Sequence, residues 1–120
     1  MAQITKQIDL AEYGRNIYLN KDNPGVLDDI NIELVGYYAF YSAQMIPLEL
    51  AEASFWEKHK DIHAEKPKSD AFVKALWKIT TDGQQMIEYE RILKTIEKIM
   101  STLRTSINRA NQEFKNQPTL

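Results

Sequence analysis

The sequence predicts an all-α protein: a long helical hairpin with a kinked first helix and an N-terminal helical arm, self-associating through a heptad-like C-terminal helix. Three observations carry this. Only four Gly and four Pro occur in 120 residues, against an abundance of Glu, Lys, Gln, Leu and Ala, a composition that favours helix over sheet. Tyr89, Leu93, Ile96, Met100, Leu103, Ile107, Ala110 and Phe114 alternate in steps of four and three, which places them on one helical seam roughly 40 Å long. Turn chemistry is concentrated at Asn20–Gly25 and Glu65–Ser69, so the chain reads as one helical domain in three parts: an arm and turn over 1–24, a helix over 25–64 and a long helix over 69–115.

In the arm, residues 5–20 carry Ile8, Ala11, Leu10, Tyr13 and Ile17 in two overlapping apolar stripes, weakened by Gly14. Asn23 is a good helix cap with Pro24 at the first helical position, and Asp28 and Asp29 follow where the helix dipole favours negative charge. The helix launched there buries Ile30, Leu34, Tyr37, Tyr41, Leu48, Ala51 and Phe55. Pro47 interrupts it, which predicts either a kink near Met45 and Ile46 or a fresh helix starting at Pro47. The second piece runs to about Ala64. Ser69 or Asp70 caps the last helix, whose stripe begins with Phe72, Leu76, Ile79 and Met86; Thr80–Gly83 is its weak point, a small-residue crossing or a hinge.

There is no Cys, which excludes thiolate chemistry and disulfides and fits a reducing cytoplasm. The opening residues lack an apolar signal core, and no apolar run approaches membrane-spanning length. The net charge of −2 hides an asymmetry. Residues 1–57 hold three basic and nine acidic side chains, residues 58–120 twelve basic and eight acidic. An acidic helix lying along a basic one explains this internally; a basic surface for a polyanion and an acidic one for a protein partner explains it externally.

Catalytic motifs are missing: no Gly-x-Ser-x-Gly, no phosphate-cradling glycine loop, no dinucleotide fingerprint. No enzyme activity and no cofactor are expected. His59 and His63 have the spacing that sets two imidazoles on one helix face, but Lys60 stands where a zincin has Glu, so no metal is expected. Glu49, Glu52, Glu88 and Glu90 lack the Glu-x-x-His pairs of a di-metal bundle. The cluster Tyr37, Tyr38, Phe40 and Tyr41 reads as core and interface, or as a stacking platform for nucleic-acid bases.

The outward face of the last helix is the most informative feature. Arg91, Lys94, Lys98, Arg109 and Lys115 lie among Ser, Thr, Asn and Gln without an acidic residue, and Lys74 and Lys78 add charge further up. Such a face either complements acidic neighbours or holds phosphate oxygens. The expected self-association interface is Tyr89, Leu93, Ile96, Met100, Leu103, Ile107 and Phe114. The expected acidic partner surface is Asp28, Asp29 and Glu33.

The Tyr37–Tyr38 stretch, the linker around Lys66 to Asp70 and the long basic C-terminal helix resemble the organisation of small helical phage recombination mediators of the UvsY type, over about 90 residues. That resemblance implies a ring-forming, non-enzymatic protein that binds single-stranded DNA and helps load a recombinase. It implies a DNA-binding role for Arg91, Lys94, Lys98, Arg104 and Arg109. The acidic first half departs from that family. The rival readings are a structural or adaptor protein, such as a virion or complex subunit, and a small inhibitor acting through the acidic half.

Overall fold

The computed structural model describes residues 7–60, 63 and 65–115, the last two through their backbone alone. The described chain is all-α, with four helices and no strand: α1 (Leu10–Leu19), α2 (Pro24–His59), α3 (Asp70–Lys78) and α4 (Thr81–Lys115). It gathers into two compact units. The first contains α1, α2 through Phe40 and α4 from Leu93 on; the second contains Tyr41 through Ile92.

Local capping explains where each helix starts. The Asp9 carboxylate accepts from the Glu12 N–H at 3.1 Å and caps α1. Asn23 caps α2, its Oδ1 accepting from the Val26 N–H at 3.3 Å with Pro24 in the first helical position. The first turn of α2 has no acidic residue, because Asp28 and Asp29 fall in its second turn. Ser69 caps α3 by accepting from the Phe72 N–H at 3.2 Å.

Three expectations meet the structure here. Of the two alternatives at Pro47, a kink or a fresh helix, the fresh helix is excluded: α2 runs through it. Proline cannot bond the carbonyl of Ala43, but both residues are exposed, which lets the helix continue at lower cost than it would in the core. The continuous helix expected over 69–115 is α3 and α4, separated at Ile79 and Thr80. The Trp77 carbonyl accepts from both the Thr80 N–H (3.0 Å) and the Thr80 hydroxyl (2.6 Å), which closes α3. The same hydroxyl oxygen then accepts from the Gly83 N–H at 2.9 Å and opens α4. Thr80–Gly83 is thus a tight corner, and α2 ends at His59, before the expected Ala64; residues 61, 62 and 64 lie outside the described residues.

In the first unit Ile8, Leu27, Ile30, Leu34, Ile96 and Leu103 form the core. Tyr38 on α2 meets Glu97 on α4, while Pro24 shares a cleft with residues near Ala110, so α2 and α4 run antiparallel within this unit. In the second unit Tyr41, Met45, Val73, Trp77, Met86 and Ile92 are buried. Here Tyr41 meets Tyr89 (5.3 Å between ring centres), Phe55 meets Trp77 (5.4 Å) and Lys60 pairs with Asp70, so the returning chain again lies against α2.

The seam expected to join protomers is the packing face inside the chain. Ile96 and Leu103 are fully buried, and Tyr89, Leu93, Met100 and Ile107 are half-buried. The side chain of Phe114 lies outside the described residues. Ile92 is buried and Ile99 half-buried as well, so the apolar stripe is wider than a two-position seam, as a helix packed in a globular core requires.

Candidate nucleic-acid interface

With the apolar side of α4 turned inward, 3.6-residue periodicity sets one row on its opposite side: Arg91, Lys94, Lys98, Thr102, Thr105, Arg109 and Gln112, spaced by three and four. Every member of the row is exposed. Among the described residues no carboxylate lies within ion-pair distance of Lys94, Lys98, Arg104 or Arg109. An internal acid–base pairing therefore does not account for these four cations.

The hydroxyls on the row are less free than their composition implies. Thr102 donates to the Lys98 carbonyl at 3.0 Å and Thr105 to the Ser101 carbonyl at 3.2 Å. This back-bonding along a helix spends the hydroxyl proton. Donors facing outward are then Lys94, Lys98, Arg109, the amide of Gln112 and, nearby, that of Asn108.

Arg104 stands apart from this row. It falls about a quarter-turn to one side, on the flank that carries Glu97 and Ser101, at 100° per residue. There it lines a cleft of about 290 Å³ with Val35, Tyr38, Glu97, Met100 and Ser101. Tyr38 donates its hydroxyl proton to Glu97 at 2.8 Å, and this bond raises the tyrosine pKa above its ordinary value. Arg109 lines a second cleft, of about 510 Å³, with Lys21, Asp22, Ser106, Asn111 and Glu113. Cations and carboxylates mix there, so the cleft has no single preference of charge.

Lys74 and Lys78 are exposed on one face of α3, a helix separate from α4. The aromatic cluster divides. Tyr37 packs edge-on against Tyr13 (6.0 Å, 77°), Tyr41 is buried against Tyr89, and Phe40 is half-buried. Tyr38 lines the cleft that holds Arg104, and Tyr37 lines another of about 300 Å³ with Tyr13 and Glu33. Of the acidic trio, Asp28 and Asp29 are exposed, whereas Glu33 accepts from the Tyr13 hydroxyl at 2.8 Å.

The His59 and His63 pair does not form a chelating face. α2 ends at His59, whose ring stacks on Phe55 at 4.1 Å, and His63 lies in the turn beyond. Among the described residues no group of three potential ligands is placed to hold a metal ion, and no helix is long and apolar enough to cross a membrane.

Large apolar side chains remain exposed on α2 in each unit: Ile32 and Val35 in the first, Ile46 and Leu50 (58% and 66% exposed) in the second. Spacing of three and four was their signal in the sequence, masked because α2 is apolar on most of its circumference. The partnership of Tyr38 with Glu97, 59 residues apart, had no such signal.

No family model, no curated protein and no solved structure matches this chain.

Proposed function

We propose that this chain is a non-enzymatic, self-associating accessory protein that binds single-stranded nucleic acid through its phosphates. It would act in the cytoplasm in the manner of the phage recombination mediators whose organisation it resembles. One observation carries the reading: Lys94, Lys98 and Arg109 share an exposed helix face and, among the described residues, have no carboxylate within ion-pair distance. Cations held in a row without internal partners match the regular charge of a phosphate backbone, and the contacts carry no base specificity. Asp28 and Asp29, exposed on α2, are left for a protein partner.

Self-association is part of the proposal, but its surface moves. Ile96 and Leu103 of the α4 seam are buried inside the chain, so the reading moves to the exposed Ile32, Val35, Ile46 and Leu50 of α2 as the residues offered to a second copy.

The test is a titration of labelled single-stranded oligonucleotide at two salt concentrations. Displacing counterions from three or four phosphates predicts roughly 40- to 150-fold weaker binding at about 300 mM than at about 50 mM salt. Equal affinity at both would remove the phosphate contacts from consideration.

A second reading, a structural or adaptor subunit, draws on the same exposed apolar residues of α2. It expects no oligonucleotide binding at any salt and a stable stoichiometric protein complex.

A further inference from the structure

The cleft beside the cation row has features that phosphate binding does not use. Its walls combine apolar Val35 and Met100 with the ring of Tyr38 and the guanidinium of Arg104. The Tyr38 hydroxyl donates to Glu97, itself a residue of the cleft, and this bond fixes the ring in the wall. Arg104 has no ion-pair partner among the described residues. At about 290 Å³ the space lies at the lower end of ligand sites, roughly 300–1,000 Å³, which suits one flat ring and not a cofactor.

Position on α4 ties this cleft to the row. Ser101 lines the cleft one turn beyond Lys98, and Arg104 follows one turn beyond Ser101. A phosphate resting on Lys98 would thus lie about one helical turn from the rim of the cleft. Aromatic rings and guanidinium planes both stack on bases, and every base has a face to offer.

We infer that the Val35–Tyr38–Met100–Arg104 cleft accepts a single unpaired nucleobase, held between the tyrosine ring and the Arg104 guanidinium. This rests on the nucleic-acid reading of the row and adds to it a contact that requires bases. It restricts the ligand to single strands, because a base inside a duplex cannot enter the cleft. Arg104 then stacks on the base, while Lys94 and Lys98 hold the backbone.

The experiment compares two labelled strands of equal length, one carrying bases and one abasic throughout, titrated with the full-length protein at fixed low salt. The base-carrying strand is expected to bind roughly tenfold more tightly, the size of one stacking contact. Tyr38→Ala should abolish that preference. Tyr38→Phe, which keeps the ring and deletes the bond to Glu97, should retain it. Arg104→Gln, an exposed change outside the core, should reduce the preference even if the tyrosine variants disturb packing. Two strands that bind equally, each weakening steeply with salt, would overturn the cleft and leave the row standing. Failure of both strands to bind at any salt would overturn the row, and the cleft with it.

Discussion

The Tyr13 hydroxyl donates to the Glu33 carboxylate at 2.8 Å, and this bond ties α1 to α2. The Tyr13 ring sits edge-on to Tyr37, and Ile8, just before α1, is buried; both add to that bond in holding the short arm. Burial first, and then the bond to Glu33, raise the Tyr13 pKa above the ordinary 10.0.

A raised tyrosine pKa means that the folded chain holds the proton more tightly than the unfolded chain. The associated stability is fully present below the unfolded value, about 10, and is lost as pH climbs beyond it. Thermal unfolding followed between pH 8 and 11 should therefore show a steeper alkaline decline for the native chain than for Tyr13→Phe. Parallel curves would show that the bond to Glu33 does not control this titration. At pH 7, Tyr13→Phe should cost about 0.5–3 kcal/mol, since the bond is to a charged acceptor.

Gly83 is buried at the corner between α3 and α4, and a β-carbon there would overlap the carbonyl oxygen of Trp77. That carbonyl is held in place by the Thr80 N–H and hydroxyl, so it has little room to yield. Gly83→Ala should destabilise the fold by about 1–3 kcal/mol, although alanine is the better helix former. Chemical denaturation would measure this, and a stabilised variant would contradict the close approach.

Two substitutions separate core from contact surface. Leu103 is fully buried, so Leu103→Ala should cost about 2–5 kcal/mol in stability. Ile46 and Leu50 are exposed, so replacing both with Lys should change stability little and, if α2 joins copies, reduce the mass measured by light scattering. An unchanged mass in that double variant would exclude these residues from the interface.

Reversing Lys94, Lys98 and Arg109 to Glu should reduce oligonucleotide affinity at least 100-fold at low salt and flatten its salt dependence. All three are exposed, so the circular dichroism of the helices should be preserved. Retained affinity in a folded variant would assign binding to another surface.

Much of this architecture is readable in local chemistry. The Asn23–Pro24 start, the Ser69 cap, and the inward turn of Ile96 and Leu103 follow from residues within a turn or two of one another. The corner at Thr80–Gly83 was visible as a weak point. Its form was not, because the Trp77 carbonyl that demands glycine belongs to the preceding helix.

Periodicity and capping by themselves determined the all-α class, the starts of α2 and α3, and which side of α4 is apolar, since each depends on short-range steric and hydrogen-bonding rules. Only the tertiary structure decided what that apolar side packs against. It buried Ile96 and Leu103 of the expected interface inside the chain, placed Glu33 beside Tyr13 and Glu97 beside Tyr38, and left Lys94, Lys98 and Arg109 without an ion-pair partner among the described residues. A side chain's partner depends on which helix lies opposite, and spacing along one helix does not contain that information.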